Sequence, residues 1–393
     1  MNIPKGFRLA VASAGFKKPG RNDLALLCSD TPATVAAMFT QAAFKAAPVL
    51  VAQEAVARHA RARAVVINTG QANACTGGEG MANCRKTLEC IARATGMRAE
   101  EILPASTGVI GAQLKMDRYE QAVPALAAAL GAASLEDFAR AIMTTDAFPK
   151  FASEDVELSG GRARLAGAAK GAGMICPNMA TMICAVMCDA AVDHAAWRSM
   201  FARAVDATFN RVTVDGDTST NDAIFGLANG ASGIRASSGA DLALLEKTLT
   251  GMLGKLAYML VQDGEGATKV MRIRVCGANN DEDAEKVART VGHSQLVKTA
   301  MYGKDANWGR IVAAVGRSYV PFAPKDLRVS LCGVPLFADE QPVGGNVDEL
   351  LREPLQHRDL DMDIVLGGGP GAYTLLASDL THEYISVNAD YRS

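Results

Sequence analysis

The sequence predicts an α+β fold of layered mixed sheets covered by helices. Three observations carry that expectation. Short β-branched apolar runs bounded by glycine alternate with amphipathic stretches of helical period, but without the regular rhythm of a doubly wound sheet. Toward the C-terminus, short strands follow one another through tight glycine turns. The composition is that of an ordinary globular chain, with 49% hydrophobic and 21% charged residues among 393.

The elements follow in order. Arg63 to Thr69 reads as a buried strand ended by Gly70, and a Gly/Asn/Thr-rich loop runs on to Gly80. Met81 to Thr95 reads as a helix stopped by Gly96. Ser134 to Met143 reads as a helix with a capping box, Asp137 standing three residues after Ser134, and Leu135, Phe138 and Ile142 share its apolar face. Val156–Leu158 and Ala163–Leu165 flank Gly160-Gly161 as a hairpin. A short buried strand is expected after Thr181, and Trp197, Phe201, Ala204, Val205 and Phe209 lie on one helical face. Val212 to Val214 is a strand, Leu245 to Leu260 a helix, Val270 to Val275 a strand and Asp281 to Ala300 a helix. Further strands are expected at Arg310–Val315, Leu327–Leu331, Asp363–Leu366, Ala372–Leu376 and Glu383–Val387.

A net charge of -2 gives no basic footprint for nucleic acid or an anionic membrane. No apolar run approaches the ~20 residues of a membrane span. Met1 to Gly6 carries no apolar signal core, so a cytoplasmic chain is expected. The nine cysteines are odd in number and form no CxxC pair. Cys184 and Cys188 stand four apart without a histidine or further cysteine at ligand spacing, so free thiols are expected and no metal. Asp215-Gly216-Asp217 lacks a calcium-loop pattern, and Gly367 to Gly371 precedes a strand, which favours a turn over a phosphate loop. The five histidines fall in no triad-like motif.

The segment Lys170-Gly171-Ala172-Gly173-Met174-Ile175-Cys176-Pro177-Asn178-Met179-Ala180-Thr181-Met182 is the most informative. A chain cut between Ala180 and Thr181 would start with Thr181, which would then carry a hydroxyl nucleophile and an α-amine base on one residue. Such an amine has a reference pKa of about 7.7–8.0, so a useful fraction is unprotonated near neutral pH. Taken alone, the same string also reads as a turn before a buried strand. In Pro104 to Gly111, Thr107 offers a hydroxyl donor and Gly108 a backbone N–H open to close approach. An ordinary Ser/Thr/Gly turn reads equally well there.

The Lys170–Met182 string resembles the cleavage-and-nucleophile segment of the ornithine acetyltransferase family, the glutamate N-acetyltransferases of arginine biosynthesis. Further blocks resemble that family in order: Thr69–Gly77, Pro104–Gly111, Met143–Asp146, Val214–Asp222, Asp263–Lys269, Gly303–Arg310 and Val387–Ser393. The resemblance implies a self-cleaving enzyme with an N-terminal threonine nucleophile. It would consist of an α chain, residues 1–180, and a β chain, residues 181–393. Thr181 would be the nucleophile, cleavage would fall between Ala180 and Thr181, and Thr107 with Gly108 would hold the oxyanion. Thr144, Lys170, Thr181, Glu265, Asn388 and Ser393 would bind substrate, with Lys170 on a carboxylate and Glu265 on the ornithine ammonium.

Acetyl would pass from N2-acetyl-L-ornithine through Thr181 to L-glutamate in a ping-pong cycle that needs no cofactor. Some members of the family also take acetyl from acetyl-CoA, and no CoA signature decides that point. Two α and two β chains are the implied assembly. Gln71, Ala172 and Ser393 depart from the commoner Asn, Ser and Thr of the family. Two other classes stay open: an N-terminal-nucleophile amidase or aminopeptidase, in which water replaces the acceptor, and a non-catalytic amino-acid-binding protein with an intact chain.

Overall fold

A computed structural model describes residues 3–176 and 182–390. The first half of the chain runs β1 (Phe7–Ala12), β2 (Leu24–Phe39), α1 (Ala47–Arg58), β3 (Arg61–Gln71), α2 (Gly77–Thr95), β4 (Ile102–Val109), α3 (Met116–Ala128), α4 (Leu135–Ile142), β5 (Lys150–Leu158), β6 (Gly161–Lys170) and β7 (Ile183–Cys188). Then come α5 (His194–Asp206), β8 (Val212–Thr213), β9 (Ala223–Ala228), α6 (Gly239–Gln262), β10 (Val270–Ala278), α7 (Asp281–Gly292), α8 (Gln295–Tyr302) and α9 (Trp308–Gly316). The chain closes with β11 (Arg328–Leu331), β12 (Val334–Ala338), β13 (Gln341–Pro342), α10 (Val347–Arg352), β14 (Asp359–Val365), β15 (Gly371–Ser378) and α11 (His382–Asp390). Two compact units result, one from residues up to 210 plus 217–260, the other from 211–216 and 261 onward.

The first unit holds an eight-stranded mixed sheet in the order β4-β3-β2-β9-β7-β6-β5, with β1 also on β2. Strand β2 is long enough to serve two neighbourhoods. Its residues 24–28 pair with β1 and β3, and residues 34–39 pair with β9. Between them the register breaks from Cys28 to Ala33, at Pro32, which has no N–H to give a ladder.

The sheet folds over at this break. Inward side chains from both halves share one core: Leu9, Leu27, Ile67 and Leu103 from one, Ala168, Ala185, Met187 and Phe225 from the other. Helix α4 plugs that core with Leu135, Phe138 and Ile142 and touches β1 and β3 as well as β5 and β6. Its Ser134–Asp137 capping box is present. On the outer faces, α2 and α3 cover the β1–β4 half. Helix α5 covers the other half, with the Trp197 indole donating to Gly226 O at 3.0 Å. A Cβ on Gly226 would lie 2.4 Å from the Phe201 ring, so only glycine admits α5 at this distance. The expected layered mixed sheets under helices are therefore observed.

The second unit holds a seven-stranded mixed sheet, β13-β12-β11-β14-β10-β15-β8. One face is apolar and lies under α7, α8 and α9, with Ile273, Met362 and Leu375 in its core. Arg272, Arg274, Asp361 and Asp363 alternate onto the other face and pair there.

Three element expectations are corrected. Arg310–Val315 is part of helix α9, because the Asn307 side chain caps the N–H of Arg310 at 3.2 Å and Ile311, Ala314 and Val315 bury one helical face. Glu383–Val387 lies within helix α11, whose start is set by Thr381 Oγ1 accepting from the Tyr384 N–H at 3.3 Å. Asp281–Ala300 divides into α7 and α8, because Ser294 caps a new helix after His293. All nine cysteines are free. Among the described residues no helix is long and apolar enough to cross a membrane.

Candidate active site

Thr107 and Gly108 stand at the end of β4 rather than in a separate turn. The parallel partner β3 is irregular beside them at Gly70–Gln71. Gly108 has a φ of +131°, and a Cβ there would fall 2.3 Å from the carbonyl carbon of Gly70. Backbone approach this close excludes any side chain.

Buried amides hold the two strand ends in place. Asn221 Nδ2 donates to Ala72 O at 2.6 Å and to Ser106 O at 2.8 Å. Ser106 Oγ donates to Asn68 Oδ1 at 2.6 Å, and Asn68 Nδ2 donates to Gln71 O at 2.9 Å. The peptide that leads into Thr107 is thereby fixed on its carbonyl side. Gln71 ties its loop to residues 113–115, donating to Gln113 O at 2.7 Å and accepting from the Lys115 N–H at 3.0 Å.

Lys170 ends β6, and four strands separate β6 from β4 in the sheet order. Even so, Lys170 Nζ donates to Thr107 Oγ1 at 3.3 Å, because the sheet is folded over. With its oxygen accepting from an ammonium, the Thr107 hydroxyl keeps its proton for a second partner.

Beside Lys170 lies a buried carboxylate. Asp146 Oδ1 accepts from the Gly171 N–H at 2.6 Å and from Lys150 Nζ at 2.6 Å. Its Oδ2 accepts from the Thr144 N–H at 2.8 Å and, more weakly, from Thr144 Oγ1 at 3.5 Å. The side chains of Lys150 and Asp146 are both wholly out of solvent. Burial alone would raise the Asp146 carboxyl, but the charges of Lys150 and Lys170 and these hydrogen bonds hold it far below the usual carboxylate range. Lys17 joins the group, donating to Met143 O at 2.5 Å and Ala141 O at 3.1 Å. Burial, then the nearby Arg21 and Lys170 charges, lower it to about 8 against the opposing pull of Asp23 and Asp146.

In the second unit, Asn388 Nδ2 donates to Glu265 Oε2 at 2.7 Å and to Tyr384 O at 2.9 Å. The Glu265 loop is tied down on both sides. Gly266 O accepts from Thr381 Oγ1 at 2.9 Å, and Asp379 accepts from the N–H groups of Thr268 and Lys269 at 2.8 and 3.0 Å. The buried Lys298 ammonium donates to Val214 O and Ser378 O at 2.7 and 2.5 Å, and burial lowers it to about 8.

Thr107, Gly108, Lys170 and Thr144 are thus gathered in one unit, Thr144 through Asp146, while Glu265 and Asn388 meet in the other. Ala180, Thr181 and Ser393 lie outside the described residues. Asp146, Lys17, Asn68 and Asn221 carry site geometry that the sequence reading did not assign, and Lys150 is the buried counter-charge of Asp146. Asp146 and Asn221 fall inside the Met143–Asp146 and Val214–Asp222 blocks, which were their only signal.

The chain matches a family model described as the ArgJ family over residues 8–393. It is similar to the arginine biosynthesis bifunctional protein ArgJ of Nitratidesulfovibrio vulgaris, with 65% identity over 390 residues and 99% of each chain covered. The protein of the same name from Geobacter sulfurreducens is 45% identical over 395 residues, 100% of each chain. Among solved structures, ornithine acetyltransferase complexed with ornithine from Mycobacterium tuberculosis is 39% identical over 45% of this chain and 94% of that one, at a TM-score of 0.42.

The buried carboxylate makes stability acid-sensitive. A group whose folded pKa is depressed stabilises above its unfolded value, about 3.9 for Asp, and loses that contribution as pH falls toward the folded value. Asp146→Asn should cost about 3–5 kcal/mol at pH 7, since it removes the carboxylate that pairs with the buried Lys150. Urea midpoints of the two proteins should converge as pH drops below about 4. A gap that stays constant down to pH 2 would contradict the depressed carboxyl.

Proposed function

The chain belongs to the ArgJ family, and on that premise we propose that it moves acetyl from N2-acetyl-L-ornithine to L-glutamate through an acetyl-threonine at Thr181. The observation that carries this reading is the meeting of Thr107 with Lys170 at 3.3 Å. Ile183, two residues after Thr181 in the chain, is the strand partner of Lys170. The strand that begins two residues after the proposed nucleophile therefore starts beside Lys170, where the donor groups converge.

The cycle starts with processing. The Thr181 hydroxyl attacks the Ala180 carbonyl, the peptide becomes an ester, and water releases an α chain of residues 1–180 and a β chain of residues 181–393. The freed α-amine of Thr181 then takes the hydroxyl proton as Oγ attacks the acetyl carbon of the donor. The Thr107 hydroxyl and the Gly108 N–H stabilise the oxyanion. Collapse breaks the acetyl–nitrogen bond, the proton passes to the leaving amine, and ornithine departs. The glutamate amine attacks the ester by the reverse path and leaves as N-acetylglutamate. Lys170 fixes the substrate carboxylate, Glu265 meets the ornithine ammonium, and Thr144, Asn388 and Ser393 add polar contacts. The relatives' name carries the word bifunctional, and an assay with acetyl-CoA and glutamate tests acetyl-CoA as a second donor. The working form is a cytoplasmic assembly of two α and two β chains.

Thr181→Ala should leave one intact chain of 41.1 kDa in denaturing mass spectrometry and abolish transfer. Two normal fragments from that variant would exclude self-processing. Thr107→Ala should lower kcat about 10²–10³-fold, the usual loss for one oxyanion donor. An unchanged kcat in the processed variant would remove Thr107 from this role. Acetate release that does not depend on an acceptor would favour the amidase alternative.

A further inference from the structure

Asp146 joins two segments of the site at once. Its carboxylate is shut off from solvent and bonded to two backbone N–H groups from separate segments, Thr144 at 2.8 Å and Gly171 at 2.6 Å. Thr144 follows α4, and Gly171 follows Lys170 at the end of β6, so these segments reach Asp146 from either side. Lys150 Nζ, at 2.6 Å, fills the remaining position on Oδ1. From Lys170 the connection passes to Thr107 Oγ1 at 3.3 Å.

Pairing with Lys150 does not by itself account for the carboxylate, because a buried ion pair seldom outperforms a hydrophobic replacement of similar volume. A carboxylate has one property those replacements lack: it accepts from several donors at fixed angles. Both backbone donors it collects border residues that the acetyl-transfer reading places on substrate.

We propose that Asp146 is a positioning residue of the acetyl-transfer site, fixing Thr144 and the Lys170–Gly171 turn relative to each other and, through Lys170, orienting the Thr107 hydroxyl. This rests on the acetyltransferase reading. Lys150 is the counter-charge that makes the carboxylate tolerable in the core. The Thr144 and Gly171 bonds both go to the Asp146 carboxylate itself, so the two partners of one ion pair have separable roles. Asparagine at 146 keeps the shape and one acceptor oxygen, but it places an N–H₂ against one of the two backbone donors.

The test compares Asp146→Asn, Lys150→Met and the double variant, each processed and assayed for N-acetylornithine-to-glutamate transfer per folded molecule. The double variant removes both charges, so its urea midpoint should return toward that of the wild type. Its kcat/KM should stay about 100-fold down, the scale set by misplaced reacting groups. KM for both substrates should rise, which a mere loss of folded molecules does not produce. Lys150→Met should keep transfer within a few-fold (roughly) of wild type per folded molecule, since it leaves the Thr144 and Gly171 bonds in place. A double variant that regains activity along with stability would overturn the positioning role, leaving a structural ion pair. A wild-type enzyme with no such transfer would instead remove the reading on which the proposal rests, and the proposal with it.

Discussion

Much of the site in the first unit depends on the break in β2. A strand of sixteen residues would ordinarily carry one flat sheet. Here Pro32 and its exposed neighbours Asp30 and Thr31 interrupt the ladder, so the two halves of β2 belong to different faces of one core. Closing the sheet over that core places the end of β4 against the end of β6. No local interaction could bring Thr107 and Lys170 together, since they are sixty-three residues apart. The apolar area between the halves supplies the driving force, at about 25 cal/mol per Å² removed from water. Phe138, fully buried on α4, keeps that space filled.

The same closure creates an electrostatic problem at its edge. Lys150, Asp146 and Lys170 are all nearly excluded from solvent. Charges taken out of water cost several kcal/mol each unless they are paired and hydrogen-bonded. Asp146 meets that condition with two backbone donors and an ammonium, and Lys17 spreads its own charge over two carbonyls at the end of α4. The second unit solves a similar problem with carbonyls and the Ser378 hydroxyl around Lys298, and with carbonyls around Lys269.

Legibility in the sequence followed the range of the interactions. Helix α4 could be read because its cap and its apolar face lie within ten residues. The hairpin of β5 and β6 could be read because Gly160-Gly161 marks its turn. Strand β2 was missed because Pro32 argues locally against a central strand. Segment 310–315 was misread because a short apolar run has no period of its own, and the deciding cap, Asn307, lies before it. In the site, Thr107, Gly108, Lys170, Glu265 and Asn388 stood out through family resemblance rather than spacing. The Asp146 network did not, because its donors come from segments brought together only when the sheet folds over.

In the proposed cycle acetyl rests on Thr181 between donor and acceptor. Intact-mass analysis of the processed enzyme, mixed with N-acetylornithine in the absence of glutamate, tests it most directly. One added acetyl group is expected on the fragment that begins at Thr181, discharged when glutamate is added. Steady turnover with no acetyl ever found on that fragment, or acetyl on the other fragment, would contradict it.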